Sequence, residues 1–563
     1  MAEMLRRMLK RLFPGLHRRE TAKSSLDNPR TARSVKAALA VDPNAIQAGG
    51  LEGIALGTRL SENLSALKSL TGNAPDLVIR RIMVAGGVEA AVIFFDTLGR
   101  ADLVSNEVIK PLTIEAAPGR KLASTAAEVE QEARARLVHT ANIEDCTLLK
   151  ELLAGLGEGK AALLIEGSTN ALLIGLAGYE SRSVEEPVSE PVVRGPREGF
   201  TESLHMNFSL IRRRIGSPLL RFEVRTIGRW TRTKVAIAYI HGLAGDSLVQ
   251  EVRRRLDAID IDGILDTSYI EEFIEDSPYT VFPQVLNTER PDIVVSNLLE
   301  GRVAILCDGS PFVLIVPTTF WALMTAGEDH YQRWDGATLI RMLRYVLVCL
   351  VVLLPSMYVA ATTFHPEMLP GSMLISIAAA REAVPFSSFT EMFAMEVTFE
   401  VLREAGLRLP RPIGQTIGIV GAIIIGEAAV QAQLVSAPVV IIVAFTGVSS
   451  FVIPHYNLGI ALRIVRFPIL ILAGTFGIFG IAMGLLLIVL HLAALRSFGQ
   501  PYLSPMSPLR ASDLKDSVVR LPRWAMYRRP HVTGARVSWR QEASDAAHGG
   551  FEHRKEAAEN ASQ

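Results

Sequence analysis

The feature that most constrains the fold is an apolar stretch in the middle of the chain, LIRMLRYVLVCLVVLLPSMYVAATT, at residues 339–363. From Tyr345 onward, about nineteen residues carry no formal charge, close to the ~20 that a helix needs to cross a ~30 Å hydrocarbon layer. Arg341 and Arg344 precede this run, whereas the connection FHPEMLP after it has no Lys or Arg. The positive-inside rule therefore puts the preceding residues in the cytoplasm. We expect a soluble half before this span and a membrane half after it.

The overall composition hides this division. Lys+Arg and Asp+Glu balance at 58 each, so no global charge favours nucleic acid as a partner. The three cysteines, Cys146, Cys307 and Cys349, lie far apart and predict neither a disulfide framework nor a metal site. The basic N-terminus has no uninterrupted apolar run, which argues against a cleaved signal peptide. A basic amphipathic helix at residues 4–13 and a disordered tail are both open there.

The soluble half contains a duplication. Residues 90–112 and 234–256 each give an apolar run of strand length, a turn with glycine and an amphipathic stretch, which predicts a β–turn–α unit. Residues 161–176 and 303–317 each give two apolar runs around an acid-Gly-Ser turn, which predicts a hairpin. Both pairs are offset by about 142 to 145 residues, which indicates an internal repeat.

These patterns predict an α/β soluble N-terminal half made of two repeated subdomains, followed by an all-α multi-span membrane domain. The predicted divisions are a basic tail and linker (1–50), the first subdomain (51–180), a connector (181–224), the second subdomain (225–336), the membrane domain (337–500) and a basic polar C-terminal tail (501–563).

The connector has two interpretations. Residues 185–216 are rich in Pro and mixed charge, as expected of an ordered link with solvated ion pairs. The alternative is a coupling or contact surface, because Arg194, Arg197 and Glu198 flank a Gly-Pro turn and have the charge to pair across an interface. The basic run 212–214 has the charge to hold phosphate or lipid head groups, but is more typical of a solvated face.

The sequence does not match the enzyme motifs that we compared with it. The segment AGLGEGKAALL departs from a phosphate-binding loop at Ala154 and at Ala161, and an apolar strand follows it where a helix is required. The chain has no G-x-S-x-G elbow, no H-E-x-x-H motif and no Cys/His cluster. We therefore expect no enzyme, no catalytic residue, no cofactor and no metal.

Within the membrane half, residues 371–412 are apolar yet carry charges that are costly in lipid. Glu396 and Glu400 share one face of a helix, and Glu391 precedes them. A re-entrant or pore-lining amphipathic helix, an interfacial helix with its acids toward the cytoplasm, and an ordinary crossing remain open. The pore-lining hypothesis names Glu391, Glu396 and Glu400.

Three further apolar segments follow, at 414–434, 439–453 and 467–495. In the first, Glu427 and Gln431 share one helix face and suit either interhelical hydrogen bonds or an ion pathway. The segment 467–495 is long for one helix and short for two. A cytoplasmic C-terminal tail requires it to form a tight hairpin or a re-entrant fold, whereas a single crossing puts the tail outside.

The chain resembles a known family in several motifs. These are EEPVSEPVVRGPREGFTE, FPQVLNTERPD, LLEGRVAILCDGSPF, LREAGLRLP, IVGAIIIGEAAV and RIVRFPILILAG. They resemble the A-type subunits of spore germinant receptors, the GerA family, which includes SpoVAF-like members. The match covers about residues 50–505 in the right order.

The resemblance implies a subunit in the inner membrane of a dormant spore that works with a permease-like B subunit and a lipoprotein C subunit. It implies a response to nutrient germinants and a homo-oligomeric ligand-gated cation channel. The alternative is a SpoVAF-like membrane scaffold or accessory subunit of an ion-release complex. A third possibility, a transporter, would require inverted symmetry between membrane halves, which the sequence lacks.

The first span is also a candidate lever between the soluble repeats and a pore. Only about twenty residues separate it from the second subdomain, so Arg341 and Arg344 follow that subdomain with little slack. Pro355 removes a helix hydrogen bond near the middle of the span. A kink there is either a static bend or part of the coupling.

Overall fold

A computed structural model describes residues 53–84, 87–113, 125–136, 143–175, 187, 190–408, 426–510, 513–526, 528–531, 535–537 and 539–540. The predicted N-terminal tail at 1–50, with its candidate helix at 4–13, lies outside the described residues. The same holds for residues 541–563 of the predicted C-terminal tail.

The first subdomain is a five-stranded sheet with helices packed on it. Its elements are α1 (Leu60–Thr71), β1 (Leu77–Val84), β2 (Val88–Phe95), the helical segment α2 (Ala101–Leu103, Val104–Ile109 and Lys110–Thr113), α3 (Ala126–Arg136), β3 (Ile143–Cys146), α4 (Leu149–Gly157), β4 (Ala161–Ile165) and β5 (Ala171–Ile174). The strand order is β1-β2-β4-β5-β3. Both faces bury apolar side chains, which explains why β4 and β5 are buried along their whole length.

The second subdomain repeats this plan. Its elements are α5 (Leu204–Arg212), β6 (Leu220–Ile227), β7 (Thr233–Ile240), α6 (Asp246–Asp257), α7 (Thr267–Ile274), β8 (Leu286–Thr288), α8 (Pro291–Leu298), β9 (Val303–Cys307) and β10 (Val313–Val316). The strand order β6-β7-β9-β10-β8 is the same as in the first sheet. The predicted pair of β-rich subdomains is confirmed, but all pairings within both sheets are antiparallel, so the label α/β holds only as a mixture of helices and strands.

The repeated acid-Gly-Ser turns make the same hydrogen bond in both subdomains. Glu166 accepts a hydrogen bond from the backbone N–H of Leu60 at 2.6 Å, and Asp308 accepts one from Leu204 N–H at 3.1 Å. Each acid therefore binds the first residue of the helix that opens its subdomain, where backbone N–H groups lack partners within the helix. The following glycines, Gly167 and Gly309, have φ of 87° and 89°, which favours glycine.

The subdomains meet at a buried ion pair. Arg212, at the end of α5, donates to both carboxylate oxygens of Asp76 at 2.7 and 2.8 Å, and its guanidinium lies 4.1 Å from the ring centroid of Phe95. Arg212 and Asp76 are both buried. The expectation of a solvated basic face at 212–214 is therefore wrong for Arg212, because the partner lies in the other subdomain.

The C-terminal part is helical. Its elements are α9 (Phe320–Leu323), a 3-10 turn (Gly327–His330), α10 (Trp334–Thr363), a 3-10 turn (Pro366–Met368), α11 (Gly371–Arg381), α12 (Ser388–Arg408), α13 (Gly426–Gln431), α14 (Ala437–Ser450), α15 (Tyr456–Ala494), the two-stranded hairpin β11 (Arg496–Ser497) and β12 (Gln500–Pro501), and α16 (Leu514–Ser517). Two of these helices, α10 and α15, are long and apolar enough to cross a membrane.

Helix α15 reverses direction at Gly477, which has φ 62° and ψ −140°. A Cβ atom on Gly484 would lie 3.1 Å from Leu472 Cδ1 and 3.6 Å from Ile469 Cγ1, so the residues after Gly477 pack back on those before it. The arms 456–476 and 478–494 are about 21 and 17 residues long, or about 32 and 26 Å. Of the arrangements left open for 467–495, the structure has the tight hairpin.

The helices alternate between two ends of a bundle, which we call the base, where α10 begins, and the tip, where α10 ends. Helix α12 begins at the tip, where Ser388 Oγ lies 3.0 Å from Thr362 Oγ1. The turn at Gly477 also lies at the tip, against Phe364. The predicted apolar segment 371–412 contains two helices, α11 and α12, and its residues 409–412 lie outside the described residues. Of the predicted span 414–434, residues 414–425 lie outside the described residues.

Replacing Gly477 by alanine should destabilise the protein. The backbone conformation of Gly477 is one that L-residues rarely adopt, and the new Cβ would lie 3.0 Å from Phe364 Cβ. We expect the free energy of unfolding to fall by about 1–3 kcal/mol, measured by thermal unfolding of the purified protein in detergent. Gly459→Ala in the same helix is the control, since its Cβ meets nothing closer than Ile453 Cγ2 at 4.0 Å. Equal melting temperatures for the two variants would contradict the hairpin.

Candidate functional site: the charged base of the helical bundle

The base of α10 is fastened by a single buried carboxylate. Asp329, in the 3-10 turn between the second subdomain and α10, accepts hydrogen bonds from Arg341 Nε at 2.9 Å and from Arg344 Nη1 at 2.8 Å. Arg344 Nη2 reaches the other oxygen of Asp329 at 3.1 Å, and Arg344 Nη1 also reaches Met324 O at 2.8 Å. We call Asp329, Arg341 and Arg344 the base clamp.

The C-terminal tail completes the clamp. Arg341 Nη1 donates to the backbone oxygen of Asp516 and lies 3.4 Å from its carboxylate. Arg520 Nε donates to the backbone oxygen of Asp329 at 3.3 Å. Tyr345 on α10 donates its hydroxyl to Ser517 O. The second subdomain, the apolar helix α10 and the tail therefore meet at one cluster.

The electrostatics of the clamp explain its geometry. Burial alone would raise the pKa of Asp329, but the hydrogen bonds and charges of Arg344 and Arg341 outweigh it and hold the pKa below its ordinary value. Arg341 is fully buried. Buried guanidinium groups need carboxylates and carbonyl oxygens as acceptors, and Asp516 of the tail supplies two of them to Arg341 through its backbone oxygen and its carboxylate.

A second charged cluster lies inside the helical bundle. Arg466 of α15 lies 2.6 Å from Glu396 Oε2 and 3.2 Å from Glu400 Oε1, both on α12. Arg463 lies 3.2 Å from Glu400 Oε2. Glu396 is fully buried, whereas the Glu400 side chain keeps 27% of its surface exposed. The cluster ties α12 to the first arm of α15.

The other predicted residues occupy different places. Glu391 is buried at the tip and accepts hydrogen bonds from Ser436 N at 3.0 Å and Ser436 Oγ at 2.7 Å, at the start of α14. Glu427 and Gln431 are exposed on α13 and are joined by a 3.0 Å hydrogen bond. Pro355 is buried inside α10, which continues through it. The pore-lining, intramembrane and coupling roles of these residues stay predictions.

The connector contacts both the second subdomain and the bundle. Glu190 accepts a hydrogen bond from Thr288 Oγ1 at 2.6 Å and lies 3.8 Å from His455 Nδ1, just before α15. Arg290 donates to Pro196 O at 2.9 Å. Glu198 pairs at 2.6 Å with Arg214, which lies between α5 and β6 of the second subdomain, whereas Arg194 and Arg197 are exposed.

Sequence reasoning missed the role of the tail and the role of Asp329. Both belong to segments that look like polar loops, and their partners lie 12 to 191 residues away along the chain. Within the part of the chain that the structure describes, no group of three or more His, Cys, Asp or Glu side chains is placed to hold a metal ion.

Comparison with known proteins decides the family. Residues 65–532 match the family model of the Bacillus/Clostridium GerA spore germination protein. The chain belongs to the GerA family. It is 43% identical to the "uncharacterized membrane protein YfkQ" of Bacillus subtilis (strain 168), over 84% of this chain and 90% of that protein. It is 41% identical to spore germination protein KA of the same organism, over 86% of this chain and 88% of that protein.

A solved structure is also similar. The N-terminal domain of the A subunit of the Bacillus megaterium spore germinant receptor GerK3 is 34% identical, with a TM-score of 0.38, and the match covers 47% of this chain and 97% of that chain. The family match and the similarity to spore germination protein KA confirm the resemblance to the GerA family drawn from the motifs.

Removing the charge of Asp329 should strongly destabilise the GerA-family chain. Asp329→Asn removes the carboxylate that Arg344 pairs with and leaves Arg341 only the longer contact to Asp516 at 3.4 Å. We expect the free energy of unfolding to fall by about 3–5 kcal/mol. Denaturant unfolding in detergent measures it. Asp335→Asn is the matched control, since Asp335 lies six residues further on, is exposed and pairs with the exposed Arg333. A small effect at both positions would mean that the clamp does not hold the base together.

Glu190 predicts a pH dependence of stability. Burial raises its pKa to about 7, although Thr288 and Arg290 oppose the shift. A carboxyl with a raised pKa in the folded state stabilises the fold below its unfolded value of 4.5 and loses that contribution as pH rises through about 7. As the pH rises from 4.5 to 7.5, the free energy of unfolding of Glu190→Gln should therefore increase by roughly 2–4 kcal/mol relative to that of the wild type. Melting temperatures across this range test it, with exposed Glu202→Gln as control; parallel curves for wild type and Glu190→Gln would refute it.

Proposed function

We propose that this chain is the A-type subunit of a spore germinant receptor that passes a nutrient signal to a cation-conducting oligomer. The observation that carries the proposal is the base clamp, because one buried carboxylate joins the second subdomain, the apolar helix α10 and the C-terminal tail. A movement of the soluble subdomains is thereby transmitted to the membrane helices. The proposed role is not enzymatic.

The arrangement of the helices supports a multi-pass membrane domain. Helix α10, with 30 residues, is about 45 Å long, which exceeds a ~30 Å hydrocarbon layer and leaves its first turns outside. Arg341, Arg344, Arg403 and Arg463 lie toward the base end, as the positive-inside rule expects of the cytoplasmic side. The hairpin of α15 brings the tail back to the base, so the soluble half and the tail share the cytoplasmic side.

The proposed setting is the inner membrane of the spore, with a permease-like B subunit and a lipoprotein C subunit as partners. A relative named spore germination protein KA favours this role over the SpoVAF-like scaffold. Several copies of the chain would surround the ion path.

The acids of α12 are the proposed elements of the ion path. In the single chain Glu396 and Glu400 are neutralised by Arg466 and Arg463. We propose that this is the resting arrangement and that opening separates α12 from the first arm of α15. Glu400 is then the acid best placed to meet ions, because its side chain is already partly exposed.

Neutralising Glu400 should reduce cation selectivity. We expect Glu400→Gln to lower cation flux several-fold relative to anion flux in liposomes that contain the purified receptor subunits, because a ring of acids attracts cations. Glu404→Gln is the matched control, one turn further along α12 and paired with Arg408 on the surface. Unchanged flux and selectivity for Glu391→Gln, Glu396→Gln and Glu400→Gln at equal protein level would exclude the pore role.

A further inference from the structure

The loop between α7 and β8 of the second subdomain is fastened to the last turn of α15. Thr280 Oγ1 lies 2.8 Å from His491 Nε2, and the ring centroids of Phe282 and His491 are 6.1 Å apart. The hydroxyl of Tyr502, in the tail, donates to Pro283 O at 2.7 Å. Phe282 and Tyr502 are both buried. These contacts fix the height of the loop relative to α15.

The length of α15 places this loop at the edge of the membrane. In the multi-pass arrangement proposed above, the second arm of α15, residues 478–494, crosses the lipid layer. Its length of about 26 Å is less than the ~30 Å of a hydrocarbon layer. The arm therefore reaches the boundary of that layer only at its last residues. His491 lies three residues before the end of α15, so Thr280 lies at the level of the lipid head groups.

Apolar side chains on both sides of Thr280 point away from the protein. Tyr279 is 100% exposed and Val281 is 43% exposed. On α15, Leu487 lies one turn before His491 on the same helix face and is 58% exposed. An apolar surface therefore continues from the helix onto the loop. Tyrosine suits such a boundary, because its ring is apolar and its hydroxyl forms hydrogen bonds with water or head groups.

The charges next to the loop do not prevent contact with lipid. The segment 277–281, SPYTV, carries no charge. Asp276 is paired with Arg255, and Glu275 accepts a hydrogen bond from Gln284 N at 3.2 Å. Glu272 is exposed one turn earlier on α7, about 6 Å further along the helix axis than Asp276. The loop can therefore enter the head-group region without burying an unpaired charge, and the attraction is apolar rather than ionic.

We propose that the loop 277–281 inserts Tyr279 and Val281 into the head-group region of the lipid layer around α15 and anchors the second subdomain on the membrane surface. The partner is a lipid surface, bound through apolar contact. This inference rests on the multi-pass arrangement within the proposed function. It adds to the base clamp a second point at which the position of the second subdomain relative to the membrane is fixed.

The accessibility of a spin label tests the anchor. Tyr279→Cys carries the label in full-length protein with Cys349→Ser, since the other two cysteines are buried. The protein is reconstituted in nanodiscs of phosphatidylethanolamine and phosphatidylglycerol. Power saturation compares collisions of the label with oxygen, which concentrates in lipid, and with a nickel chelate, which stays in water. The control is Trp230→Cys, an exposed position at the opposite end of the same sheet. We expect the ratio of oxygen to nickel accessibility to be several-fold higher at position 279 than at position 230.

A label at Leu487→Cys on α15 separates failure of the anchor from failure of the membrane arrangement. A label in lipid at position 487 with one in water at position 279 overturns the anchor and leaves the proposed function standing. Labels in water at both positions overturn both. A label at position 279 that is shielded from oxygen and nickel alike shows that protein covers the loop, which also overturns the anchor. Pro278→Cys, at the neighbouring exposed residue, replaces Tyr279→Cys if that variant does not fold.

Discussion

The rest of this structure depends on the ion pairs that Arg341 and Arg344 make with the buried carboxylate of Asp329. Without Asp329, the buried Arg344 would lose its carboxylate partner and Arg341 would keep only Asp516 of the tail, so the link, the base of α10 and the tail stabilise one another. The hydrophobic core also joins these parts, because side chains of the second subdomain, α10, α15 and the tail form one continuous cluster. Tyr502, fully buried, donates to Pro283 O at 2.7 Å within it.

Much of the soluble half could be predicted from the sequence. Apolar runs of strand length and a constant offset between the acid-Gly-Ser turns identify the two subdomains. Each turn has a glycine at positive φ and an acid that binds the helix at the start of its subdomain. Strand order and direction could not be predicted, because hydrophobic periodicity and turn type do not determine which strands pair when they are distant in sequence. The sequence predicts structure well where the interacting residues are close together along the chain.

The candidate sites depend on long-range contacts, and there the sequence predicts less. Arg212 finds Asp76 from 136 residues away, and Thr338 meets Arg520 from 182 residues away. Contacts between residues so far apart along the chain produce no periodic pattern in the sequence. The reversal at Gly477 is equally hidden, because it is one of several glycines in a long apolar run. Arg341, Arg344 and Glu400 stand out as charges beside apolar segments, but their partners become visible only in three dimensions.

These features give a physical picture of signal transfer in a GerA-family protein. The rigid parts are the duplicated soluble subdomains, joined by Arg212 and Asp76, and the helical bundle, tied internally by Glu396, Glu400 and Arg466. The base clamp connects these parts. In the function we propose, a signal that reaches the soluble subdomains acts on α10 through this clamp.

The most direct test of this rigid connection is a distance measurement between spin labels by pulsed electron paramagnetic resonance. Tyr279→Cys on the second subdomain and Met368→Cys at the tip are both exposed, and the exposed Cys349 is first replaced by serine. The account predicts one narrow distance distribution that broadens when Asp329→Asn is added. An equally narrow distribution with and without Asp329 would show that the clamp does not couple the soluble half to the membrane helices.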